Sequence, residues 1–406
     1  MGYWEAPGVR NRPDPVEHVR IRDDQLKQRD GRYELRVTNE LEEVLYADRI
    51  QLIAVAHPAD TEVYPTEGMT DPPRPFRLFA TAGAHMPVAA VDDHAHDVLS
   101  RIAQLDRRYP DDFALHKIRG YAENHTLTLD LGEPSKDRTL LILTGWTDYA
   151  FSSDNVAAAQ SGLTLTPPSL EVRDSRGRWK TAIADIGIPV GRPQSIVVDL
   201  TGKLSDRNRE VRIVTNMRIY WDQILVATSS GKAPMKTTQL DPVSANLRWR
   251  GFSAEVSPDG REPFSYDYNR VSFTSPWKTL TGRYTREGDV RELLARTDDT
   301  FVISKPGDEI ALSFDASKLP PLPRGWKRTF LLYADGFSKE MDINSASPDR
   351  VEPLPFHAMK SYPYSPRERY PASLAHRKYV KRYNTRVVRT ELPSIDAVLA
   401  RKRVSR

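Results

Sequence analysis

The 406-residue chain contains no cysteine. That absence excludes disulfides, thiolate metal sites, iron–sulfur clusters and cysteine nucleophiles together. It leaves the cellular compartment open. Long apolar runs are missing as well: no stretch of about 18 apolar residues occurs, so no membrane-spanning helix is expected. The opening "MGYWEAPGVRNRPDP" has no apolar core of the signal-peptide kind, and Ala6 breaks the myristoylation pattern. The chain also lacks G-x-x-x-x-G-K-[ST], G-x-G-x-x-G, HExxH and G-x-S-x-G. These absences weigh against nucleotide enzymes and α/β hydrolases. They do not bear on an acid–base pair assembled from distant loops, as glycosidases use. Glycine is scarce beside proline, 21 against 31, which favours short strands and stiff connections over long helices.

What is present is alternation. "YELRVTN" (33–39), "VLYADRIQLIAVAH" (44–57), "HTLTLDLG" (125–132), "SLEVRDS" (169–175), "QSIVVDLTG" (194–202), "EVRIVTN" (210–216) and "EIALSFD" (309–315) place apolar and polar residues in turn. Period two means one buried and one wet face of a strand. "TLLILTGW" (139–146) and "RTFLLYADG" (328–336) are more uniformly apolar and predict central strands. Turns are signalled by "DSRG" (174–177), Asp259-Gly260 and Pro306-Gly307-Asp308, with Asp335-Gly336 as a tight turn after a buried strand. Helical signals are few: Val98, Ile102 and Leu105 within 97–109, a short turn over 155–162 stopped by Gly162, and a terminal helix over 394–403 capped by Ser394. The expected class is mainly β, with two or three packed sandwiches of immunoglobulin-like or jelly-roll type and few short helices. The expected units are an N-terminal β-rich domain (1–122, with the helix near 97–109), a jelly-roll-like sandwich (123–230) and a C-terminal β-rich domain (231–359). A basic tail (360–406) follows. From Lys360 to Arg406 there are 13 Lys/Arg against 3 Asp/Glu, within a net charge of +4 for the whole chain. A solvated, partly disordered terminus accounts for such a tail, and nucleic acid is not an expected partner.

One stretch stands out chemically: "DDHAHD" (92–97). Two histidines at i and i+2 on a strand point the same way and can share a metal. Asp93, His94, His96 and Asp97 are the candidate ligands, with calcium or zinc as the ion. The competing reading takes precedence: the segment leads into the helical pattern, so Asp92 or Asp93 would cap a helix and the histidines would face solvent. A second candidate set lies in the middle sandwich. Trp146, Tyr149 and Trp221 could stack on a sugar ring while Asp148 and Asn155 bond its hydroxyls. Against this, Trp146 and Trp221 interrupt apolar strands and fit a core.

Three stretches carry a family resemblance: "GYWEAPGVRNRPDPVEHVRI", "DGRYELRVTNELEEVLYADRIQLIAVAHPAD" and "FLLYADGFSKEMDINSASPDRVEPLPFH". Over most of residues 2–365 the pattern resembles the C-terminal region of bacterial ASPIC/UnbV, FG-GAP repeat proteins, relatives of cartilage acidic protein. The resemblance implies export to the periplasm or the exterior, a β-propeller domain or chain as partner, and a chain that is part of something longer. No D-x-D-x-D-G loop is present to inherit the repeats' calcium. The leading expectation is a non-catalytic binding or adhesion module, secreted or at the cell surface, with a glycan as ligand. The alternatives are a glycan-directed hydrolase with a carboxylate or metal site, and a structural domain packing on a β-propeller.

Overall fold

Every segment quoted above for its strand pattern is a strand in the computed structural model, which describes residues 16–22, 25–133, 138–204, 209–229, 233–345 and 347–389. The protein is mainly β, built of antiparallel sheets that pack as two sandwiches.

The units are not consecutive along the chain. Glu43–Pro58 pairs over its whole length with Trp326–Glu340, from Glu43↔Glu340 to Pro58↔Trp326. Val16–Ile21, Lys236–Leu240 and Val302–Ser304 complete that sheet. Arg32–Thr38 pairs with Asp308–Asp315 in the facing sheet, beside Ser244–Trp249 and Gly288–Asp289. Leu52, Ala54 and Phe330 meet Leu247, Ile310, Leu312 and Phe314 between the two sheets. The expected N-terminal (1–122) and C-terminal (231–359) domains therefore share one outer sandwich.

The inner sandwich interrupts it. Ala89–Asp92, Tyr121–Asp130, Glu210–Met217, Ser169–Arg173 and Trp179–Ile183 form its five-stranded sheet. Arg138–Thr147, Gln194–Asp199 and Ile219–Ser229 form the facing three-stranded sheet. In Glu210–Met217 burial alternates strictly, with Val211 and Ile213 turned to Leu141, Leu143 and Ile196. The inner unit thus begins by Ala89, earlier than the expected 123.

Arg138–Thr147 is apolar on both faces for a specific reason. Leu141 and Leu143 point into the sandwich, while Leu140 and Ile142 lie under Tyr64 and Phe79 of the hairpin Glu62–Pro65/Leu78–Thr81. The same hairpin sends Val63 against Ile53, Val55 and Leu331 of the outer sandwich. It is a wedge between two sheets, so each sheet is covered on both sides.

Three local expectations change, and one, the short helix stopped by Gly162, is met. Residues 97–109 hold a single 3-10 turn, Leu99–Ile102, in place of an α-helix. Val98 N bonds Ala90 O, Ala103 bridges Gln223, and Arg107 has φ +66°, so strand partners claim the backbone that a helix would need. Asp335-Gly336 is a β-bulge inside an unbroken strand. Gly336 has φ +148°, and a Cβ there would lie 2.1 Å from Tyr46 O, which only glycine avoids. The short helix near 155–162 is Ser152–Gln160, with Gly162 at φ +72° just beyond it. Its first turn receives outer-sandwich carboxylates: Ser152 Oγ donates to Glu340 at 2.7 Å, and Ser153 N and Oγ donate to Asp342. Finally, much of the expected tail is folded. Helix Leu374–Arg382 seats Tyr379 in the outer core, with Tyr383 just beyond it, and Arg386–Val388 pairs with Gly282–Tyr284. The proposed helix over 394–403 lies outside the described residues.

Candidate functional site

Ala89–Asp92 is the edge strand of the five-stranded sheet, in register with Leu127–Asp130. Immediately after it the chain reverses. Asp92 Oδ1 accepts from His94 N at 2.9 Å and His96 N at 2.8 Å, and Ala95 takes φ +62°. A short side chain bonding its own downstream amides is the usual way an aspartate nucleates a turn. Asp92 thus anchors a turn, not a helix, and the two imidazoles are brought to one side of it.

The strand at 121–130 is preceded by an extended segment that returns across the same end of the sandwich. Glu123 N of the strand donates to Ala114 O of the segment, and His116 N of the segment donates to Tyr121 O. This segment delivers Asp112 to the turn. His96 Nδ1 lies 3.3 Å from both Asp92 Oδ2 and Asp112 Oδ2, and His94 Nδ1 lies 3.9 Å from Asp112 Oδ2. Asp92, His94, His96 and Asp112 each offer an atom within 4.8 Å of the others. Of the four sequence candidates, His94 and His96 belong to this group. Asp93 flanks it, with Oδ1 3.8 Å from His94 Nδ1. Asp97 turns away and caps Leu99 N at 3.0 Å. Asp92 and Asp112 are the members missed as ligands. The sequence marks Asp92 only as a cap, and Asp112 has no local signal beyond "DDF".

Beside the cluster, the open end of the sandwich forms a cleft. Asp92, Asp93 and Asp112 stand at its rim with Phe113 and His125, and Leu127, Ile213 and Trp221 reach into it from below. Phe113 is half-buried and stacks on His125, with centroids 4.2 Å apart and planes 8° apart. Burial holds His125 below the ordinary imidazole range, against the hydrogen bond from Nδ1 to Glu123 O. Phe113 also approaches Tyr220 at 5.4 Å, and Tyr220 stacks on Trp146 at 4.9 Å. A row of rings, Trp146–Tyr220–Phe113–His125, therefore leads to the cleft.

The expected sugar-binding set does not assemble as one surface. Trp221 is buried in the inner core at the cleft floor, and Gly145 opposite makes room for its ring. Trp146 is buried against Tyr220 on the other face of the sheet. Asp148 is held by Arg119 at 2.6 Å and Arg218 at 3.0 Å. Asn155 is buried and accepts from Tyr121 OH. Tyr149 packs on Phe151.

A second cluster lies in the outer sandwich, beneath the wrap of residues 341–364. His357 Nδ1 sits 2.7 Å from Asp299 Oδ1 and 3.5 Å from Asp48 Oδ2, and Nε2 sits 2.8 Å from Asp335 Oδ1. Asp48 also accepts from the amides of Asp298 and Asp299. Burial works against a charged imidazole here, but the bonds to Asp299 and Asp335 outweigh it and push His357 up to about 10. Burial raises Asp48 to about 7 in spite of its two amide donors. Both ring nitrogens are committed, so this group is a charged clamp.

Comparison of the chain with family models, curated proteins and solved structures finds no match. What the fold and the cleft define is a class: a mainly-β protein of packed sandwiches with a largely apolar opening at one sandwich end, flanked by carboxylates.

Proposed function

We propose that the chain is a non-catalytic binding module, secreted or at the cell surface, whose ligand is a carbohydrate taken at the open end of the inner sandwich. The observation that carries this reading is the pairing of Phe113, a half-buried ring fixed by stacking on His125, with the rim carboxylates Asp93 and Asp112. Sugars present apolar C–H faces to rings and hydroxyls to carboxylates. A rigid scaffold with a few placed polar groups is the usual form of such sites. Calorimetry with soluble polysaccharides tests it, with Phe113→Ala as the discriminating variant. Saturable binding weakened roughly 2–10-fold by Phe113→Ala supports the reading, given the ~0.5–1.5 kcal/mol typical of an aromatic contact. Absence of binding, or binding indifferent to Phe113→Ala, removes it. Release of reducing ends from the same polysaccharides would favour the glycan hydrolase instead.

A second reading has its own support. The hairpin of Phe252–Val256 and Ser265–Ser272 leaves Tyr266, Tyr268 and Phe273 exposed, Phe273 at 71%. Such exposed apolar groups suit a structural domain that packs on a partner such as a β-propeller. Light scattering of Phe273→Ser with a candidate propeller chain checks it, since loss of complex formation is the expected result.

A further inference from the structure

We infer that Asp92, His94, His96 and Asp112 form a binding site for one divalent transition-metal ion, with zinc the fitting case. The site shares Asp112 with the carbohydrate reading but does not rest on it. Three features of the geometry point to it.

The first is the donor set. Two imidazoles and two carboxylates suit borderline ions such as zinc, whereas calcium and magnesium favour six or more oxygens. The second is spacing. With metal–ligand bonds near 2.0–2.1 Å, the edges of a tetrahedron are about 3.3–3.4 Å. His96 Nδ1 stands 3.3 Å from Asp92 Oδ2 and 3.3 Å from Asp112 Oδ2, which are two such edges. His94 Nδ1, at 3.9 Å from Asp112 Oδ2, needs a closure of about half an ångström to make a third. His94 and His96 are about half exposed or more, so that adjustment and the approach of an ion are both unobstructed. The third is that the ligands are already organised. Asp92 spends Oδ1 on the amides of His94 and His96, which fixes the turn, and keeps Oδ2 directed at His96. This separates the two duties of the residue: one oxygen shapes the loop and the other faces the site.

An ion held there would join the 92–97 turn to the segment carrying Asp112 and Phe113. Asp97, whose carboxylate caps Leu99, takes no part.

The test is calorimetric titration of the chelator-stripped full chain with zinc chloride, together with metal content after dialysis. One equivalent of zinc is expected. His94→Ala/His96→Ala and Asp112→Asn are each expected to weaken it by at least about 10–100-fold, while Asp97→Asn leaves it unchanged. Circular dichroism shows whether each variant keeps its strands, and a folded Asp112→Asn suffices if the double variant does not fold. No saturable zinc binding by the native chain, or equal binding by the folded ligand variants, overturns the site. A loss in Asp97→Asn matching that in Asp112→Asn also overturns this ligand set.

Discussion

His357 Nε2 stands 2.8 Å from Asp335 Oδ1, and this contact pins the wrap at 341–364 to the bulged strand Trp326–Glu340. The same ring reaches Asp299 in the preceding loop and Asp48 on Glu43–Pro58. Tyr333 OH and Thr297 Oγ1 also bond Asp335, while Tyr370 and His376 hold the backbone of 298–299. One imidazolium thus balances carboxylates from three parts of the outer sandwich.

A pH dependence follows. The folded-state value for His357, about 10, lies above its ordinary 6.5. Its contribution is therefore complete below about 6.5 and is lost as pH rises through about 10. Asp48, raised to about 7 from 3.8, adds loss of stability between those two values. Lys339, lowered to about 8 by burial, acts in the opposite sense above that pH. The clean measurement is the stability difference between the native chain and His357→Gln, by urea unfolding at several pH values. It should be about 3–5 kcal/mol near pH 6, since the change leaves buried carboxylates uncompensated, and should shrink toward pH 10. A difference that does not vary with pH would show the clamp to be uncharged.

Gly336→Ala should be among the most damaging small substitutions in the chain. Both the left-handed backbone and the 2.1 Å approach to Tyr46 O oppose a side chain. A loss of about 3 kcal/mol or more is expected from strain of this kind, read as a lower denaturation midpoint. A midpoint shift equivalent to under about 0.5 kcal/mol, the scale of ordinary surface changes, would mean the bulge relaxes easily.

Ile142→Ala probes the wedge. In a sandwich whose outer face is wet this position would tolerate alanine. Here Ile142 is covered by Tyr64 and Phe79, so a cost of about 2–5 kcal/mol is expected. Leu143→Ala, on the opposite face of the same strand, should cost a similar amount.

Tyr379→Ala tests whether the C-terminal helix belongs to the core. The ring is buried, and its hydroxyl donates to Phe301 O at 2.7 Å. Truncation should cost about 3–5 kcal/mol, by thermal or chemical unfolding. A solvated tail would show no change.

Strands were legible in the sequence because alternation reports which face of a strand is buried. Their partners were not, because period two is indifferent to whether Glu43–Pro58 meets a neighbour or a strand near the far end of the chain. The misread helix at 97–109 has the same root. Val98 and Ile102 are buried as the helical spacing requires, but Leu105 is 54% exposed, and edge-strand hydrogen bonds decide the backbone. The histidines of the cluster could be seen in the sequence because they are adjacent. Asp112 could not, since it arrives through the path of a segment with little pattern of its own. Phe113 escaped notice for that reason too.

The interleaved order of the two sandwiches sets a sequence of events during synthesis. His57 bonds Thr329 across 272 positions of chain. The strand Glu43–Pro58 therefore leaves the ribosome long before Trp326–Glu340 exists to cover its edge. The inner sandwich, whose strands are all made in between, can close first. Until then an unpaired, strongly apolar strand must be kept from its neighbours, and folding of the outer unit waits on the slowest kind of contact, the non-local one.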